Sequence, residues 1–129
     1  MHGFEDVKLS WQDQTFIVPA NKQLSLIARI EDALAGETGE QAMAILFRKH
    51  GVPHTRLASA FGAALRYAGA KVTDEEVYLS IHTDIASKSR TEVAAKMQGM
   101  LMALLAIISP PSFKATVAQS DEATPAKNP

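Results

Sequence analysis

The run from Met97 to Ile108 constrains this chain more than any other stretch. It has one polar side chain, Gln98, in twelve residues, and it carries three of the chain's five methionines. Ser109-Pro110-Pro111 follows it. A helix of this composition is apolar on every face, so a single domain surface cannot take up all of it. It is either a buried central helix or a helix that serves the core and also offers an adaptable apolar surface. Methionine suits the second role, being unbranched and polarizable. At twelve residues the run is shorter than the roughly 20 apolar residues a membrane span needs. Extending it backwards meets Lys96, Glu92 and Arg90. The start of the chain, Met1 to Asp6, has no basic segment followed by an apolar one, so no secretory signal is read there. The expectation is a soluble, cytoplasmic protein with no membrane partner.

Before the run, the chain reads as one small mixed domain. Val7-Lys8-Leu9-Ser10-Trp11 alternates apolar and polar residues, the period of a half-buried strand. Gln12-Asp13-Gln14 is a turn, and Thr15-Phe16-Ile17-Val18 is a second strand ended by Pro19. Two strands alone are marginal in water, so this hairpin must lie on something. Helical periodicity then takes over. Asn21 is placed to cap a helix carrying Leu24, Ile27, Ile30, Glu31 and Leu34, with Gly36 as its stop. A second helix is expected from about Gly39 to His50, with Met43, Leu46 and Phe47 on one face. Pro53 opens a third, with Leu57, Phe61, Ala64, Leu65 and Ala68, and Gly69 closes it. Thr73-Asp74-Glu75-Glu76 and Ser89-Arg90-Thr91-Glu92 both match capping boxes, and each coincides with the start of an apolar stripe. The first stripe is Val77, Ile81, Ile85. The second is Val93, Met97, Met100, Leu101, Leu104, Ile108, read as the buried side of the last helix.

The fold class expected is therefore α+β, mainly α. An N-terminal β-hairpin (5–20) packs on about five helices (21–110), giving a single globular domain over 1–110. From Ser112 onward Pro, Ser, Thr, Lys and Asp abound with one Phe and one Val, so 111–129 is expected to be a flexible, disordered polar tail.

Candidate chemistry is sparse. The chain has no cysteine, which removes disulfides, thiol nucleophiles and Cys-containing zinc sites. Its formal net charge is -1, which argues against nucleic acid as a partner. His50 and His54 have the spacing of a helical metal pair, but Gly51 and Pro53 between them break the shared face, so no metal site is expected. His82 lies four residues after Tyr78 and reads as a boundary histidine packed beside it. Glu31-Asp32 point to different helix faces. Asp74-Glu75-Glu76 occupy a helix first turn, where negative charge favours the dipole. Ala58 to Gly62 resembles the start of a helix-turn-helix, but the stripe continues past Gly62 and no basic recognition helix follows, which leaves a DNA-binding regulator a remote option. No Gly-rich phosphate loop or nucleophile elbow occurs. The expectation is no enzyme, with no catalytic residues, cofactor or metal.

The order of elements carries a resemblance. The hairpin Val7–Trp11 and Thr15–Pro19 is followed by Leu26-Ile27-Ala28-Arg29-Ile30-Glu31, then Ala64-Leu65-Arg66-Tyr67-Ala68-Gly69, a Thr-Asp-Glu-Glu helix start and an Ala/Met/Leu-rich last helix. Over roughly Glu5 to Ile108 this resembles the small tail assembly chaperones of siphophages and gene transfer agents. The resemblance implies a bacteriophage protein that binds the tape-measure protein and keeps it soluble while the tail tube polymerises around it. It also implies absence from the mature virion, and self-association as a homo-oligomer along the tape measure. Met97, Met100, Leu101 and Leu104 are the partner-binding residues expected on this reading. The family often makes a longer product by a programmed ribosomal frameshift, whose added part contacts tail-tube subunits. Ala126-Lys127-Asn128 is compatible with a slippery A AAA AAC heptamer. The rival reading is a structural virion component such as a small head–tail connector or tail completion protein.

Overall fold

The chain is seen in a computed structural model that describes residues 4–36, 39–48 and 51–123. Strands β1 (Val7–Trp11) and β2 (Gln14–Val18) pair antiparallel, with Val7 opposite Val18, Leu9 opposite Phe16 and Trp11 opposite Gln14. This is the hairpin the alternation predicts. Leu9 and Val18 are buried, Val7, Trp11 and Phe16 half-buried, and Lys8, Ser10 and Ile17 face out. The register places the turn at Gln12 and Asp13, which take φ of 48° and 65°. Two-residue hairpin turns favour this left-handed backbone because its twist matches that of the strands.

A 3-10 turn, Ala20–Lys22, leads into α1 (Gln23–Ala35). Asn21 therefore sits inside this turn and does not cap the helix. Gln23 is buried instead, and its Nε2 donates to the Val18 carbonyl at 3.0 Å and the Pro19 carbonyl at 3.3 Å, joining strand end to helix start. The buried stripe of α1 is Leu26, Ile27, Ile30 and Leu34. Leu24, expected on that stripe, is 72% exposed. Next, α2 (Ala42–Leu46) is shorter than expected and buries Ala42 and Ile45, leaving Phe47 exposed. Here the small Ala42 wins the inner position, because the helix is too short for periodicity to fix its face. His50, the proposed end of this helix, lies outside the described residues.

Helix α3 (His54–Ala68) is the hub of the fold. It packs on α1, on α4 (Asp74–Ser87) and on both strands. Ala58, Ala60, Gly62 and Ala64 are buried alongside Leu57 and Leu65, and these small side chains let neighbouring helices approach closely. Gly69 ends α3 at φ 113°, a left-handed cap that glycine adopts without strain. Arg66 Nη1 then donates to the Val72 carbonyl at 3.1 Å and lies 2.8 Å from Asp74 Oδ1, fixing the α3–α4 corner. The α4 capping box forms as expected: Thr73 Oγ1 accepts from the Glu76 N–H, and Glu76 Oε1 accepts from the Thr73 N–H, both at 3.1 Å. Val77 and Ile81 enter the core.

The second capping box opens α5 (Arg90–Ile108). The expected end of ordered structure after Ile108 is corrected. Chain direction changes at Ser109, and α6 (Pro110–Ala123) follows and packs along α5. The two prolines that terminate α5 are the first residues of α6. Proline is tolerated there because first-turn N–H groups have no helical acceptor. Ser109 acts as the cap, its Oγ accepting from the Ser112 N–H at 3.4 Å. Residues 124–129, with Ala126-Lys127-Asn128, lie outside the described residues. Among the described residues the architecture is thus α+β, mainly α, with an N-terminal hairpin and six α-helices.

Candidate partner-binding groove beside α5

Of nineteen residues in α5, only Leu104, Leu105 and Ile107 are fully buried. Leu104 and Ile107 belong to the main core. Leu105 stands apart from that cluster, and α6 is the element that packs most extensively on α5. The C-terminal end of the helix is therefore anchored, while its first two turns expose mainly polar residues and alanines, with Val93 and Met97 half-buried. Starting at Arg90 rather than Met97, α5 reaches a length and composition that could cross a membrane, the one such helix among the described residues. Leu104 and Leu105, both buried, and an ion pair from Lys96 to Asp84 of α4 tie it to this domain. Asp84 also meets Lys88 Nζ at 3.4 Å.

The four residues expected to bind a partner divide into two groups. Leu104 is fully buried, so in this chain it is a core residue and cannot meet a partner without unpacking. Met97, Met100 and Leu101 are half-buried, packed against the core with part of each side chain accessible. Of the stripe expected to be buried, Leu104 alone is fully buried, while Met97, Met100, Leu101 and Ile108 are half-buried and packed against the core. Val93 is only half-buried, and Leu105 and Ile107, which the stripe omits, are buried.

Met100 also lines a groove of about 600 Å³ where the hairpin, α3, α4 and α5 meet. Trp11 contributes from β1, Phe61 and Leu65 from α3, and Leu79 from α4, with Glu76 and Lys96 as charged groups in the lining. Leu79 is 62% exposed, a large apolar side chain beside a concave surface. The lining mixes apolar side chains with polar ones, Ser10, Gln12, Ser80 and Thr83 among them, and the volume lies in the range of ligand clefts. Sequence reading missed Trp11, Phe61 and Leu79 as site residues. One signal was present: Leu79 breaks the polar face of α4, lying between Val77 and Ile81 and off their stripe.

Elsewhere the polar groups serve the fold. Glu40 pairs with Arg48 and lies 3.4 Å from Arg56 Nη1. The hydrogen bond from Arg48 holds the Glu40 carboxyl below its usual range, against an opposing desolvation effect, with the positive charges of Arg48 and Arg56 adding to the lowering. His82 packs on Tyr78, with ring centroids 4.4 Å apart, as the spacing predicts, and it also meets His54. The His50–His54 pairing lies outside the described residues. Among the described residues no three His, Asp or Glu side chains converge as a metal cluster would need. Comparison with known protein families, curated proteins and solved structures finds no match to this chain.

Proposed function

We propose that this protein is a tail assembly chaperone that binds the tape-measure protein through α5 and the groove beside it. The observation that carries the reading is a nineteen-residue helix, apolar from Met97 onward, with three fully buried residues and a partly apolar groove beside it. A long helical client presents apolar stripes that aggregate when unpaired. An amphipathic helix laid in a groove, with anchors three to four residues apart, is the established way to cover such stripes. Methionines let one surface fit successive, differing stripes along the client. The activity is stoichiometric binding and involves no catalysis. It takes place in the host cytoplasm, before the client is enclosed, and the chaperone is left out of the finished particle. Self-association along the client, and recruitment of tail-tube subunits by a longer frameshifted product, complete the proposal.

Co-expression with a tape-measure fragment tests it. The wild-type chain should keep the fragment in the soluble fraction. Leu79→Glu, at an exposed position, should leave the chaperone folded and send most of the fragment to the pellet. A fragment kept equally soluble by folded Leu79→Glu would show that this face does not bind the client.

A further inference from the structure

We infer that His54 and His82 form a two-imidazole site for a late first-row divalent cation such as zinc or nickel. The site rests on geometry independent of the groove. His54 is the first residue of α3 and His82 lies in the middle of α4. Their rings meet edge to face, with centroids 5.1 Å apart and planes at 65°, and His54 Nδ1 faces His82 Nε2 at 3.2 Å. Metal–nitrogen bonds of about 2.0–2.1 Å in a tetrahedral centre place two ligand nitrogens about 3.3 Å apart. The rings already hold that separation, so neither helix has to move to bind.

In the metal-free chain one ring donates a proton to the other across the same gap. On binding, the cation takes the place of that proton. The proton moves to the other nitrogen of the donor ring, which leaves both facing nitrogens free to coordinate. Tyr78 stacks on His82 with planes 33° apart, restricting the ring in the way that outer groups orient metal-bound histidines. Both histidines are half-exposed, which leaves the remaining coordination positions open to water. Imidazole nitrogens select zinc, nickel or copper over magnesium or calcium. The bound ion would clip the start of α3 to α4 and raise the melting temperature.

Titration calorimetry of the full chain with zinc chloride tests the site. One ion per chain is expected, with micromolar affinity and no heat from magnesium chloride. His54→Ala and His82→Ala should each weaken binding about tenfold or more, while a variant lacking His2 and His50 should bind as wild type does. A second readout needs no variant: nickel should broaden the ring resonances of His54 and His82 in the wild-type chain before those of His2 and His50. Absence of zinc binding, undiminished binding in folded His54→Ala or His82→Ala, or loss that follows removal of His2 and His50 would each overturn the inference.

Discussion

Helix α5 carries more large apolar side chains than α3 and buries fewer of its residues. In α3 six of fifteen residues are fully buried, against three of nineteen in α5. The difference lies in arrangement. Along α3 the apolar residues form a stripe, small residues fill the contact face, and Arg56 and Arg66 turn to polar partners. Along α5 the first turns are polar, and from Met97 onward apolar residues surround the axis, most of them half-buried and only three fully buried. A striped helix spends its hydrophobicity on folding, whereas a helix apolar all round keeps a surplus that only a further surface can cover.

The largest expected effect tests that division directly. Leu57→Ala, in a fully buried position of α3, should lower unfolding free energy by about 2–5 kcal/mol in denaturant titration. Met102→Ala, on the half-buried part of α5, should cost less than about 1 kcal/mol. Equal losses would break the contrast. Next in size are the two capping boxes. Thr73→Ala and Ser89→Ala each remove one side-chain acceptor and should cost about 1 kcal/mol of helix stability. Thr73→Ala should lower global stability, because α4 is packed on α3. Ser89→Ala should instead raise hydrogen exchange locally over the first turns of α5.

Smaller still is the hairpin turn. Gln12 and Asp13 both occupy left-handed backbone, so replacing them with Asn-Gly should stabilise by about 0.5–1 kcal/mol, read as a higher denaturation midpoint. The smallest effect belongs to Glu40. Its carboxyl is depressed in the fold relative to an ordinary value of 4.5, so its contribution is complete above pH 4.5 and is lost as pH falls below that, through the folded value. Glu40→Gln should flatten the acid side of the stability profile slightly and leave neutral pH nearly unchanged.

Much of this fold was legible because local rules and tertiary packing agree. The hairpin alternation, Gly69, both capping boxes and the stripe of α3 appear where the residues place them. Two things were hidden. Pro110-Pro111 marks both the end of one helix and the start of the next, and reading it only as a stop conceals α6. Leu24 and Leu26 are equally apolar; Leu26 falls four residues before Ile30 and eight before Leu34 on the buried stripe, and the buried Gln23, tied to the strand end, starts the same stripe. The Met97–Ile108 run lies in α5, the helix on which the proposed binding surface rests. Its neighbours Trp11, Phe61 and Leu79 come from three other elements, as do the facing rings of His54 and His82, and no spacing along the chain brings them together.

Hydrogen–deuterium exchange of the chain with and without a tape-measure fragment tests the central claim most directly. Protection should appear in α5 around residues 96–103 and in α4 around Leu79, with α1 and α2 unchanged. Protection confined to α1 and α2, or none on a fragment that demonstrably binds, would contradict α5 and its groove as the partner surface.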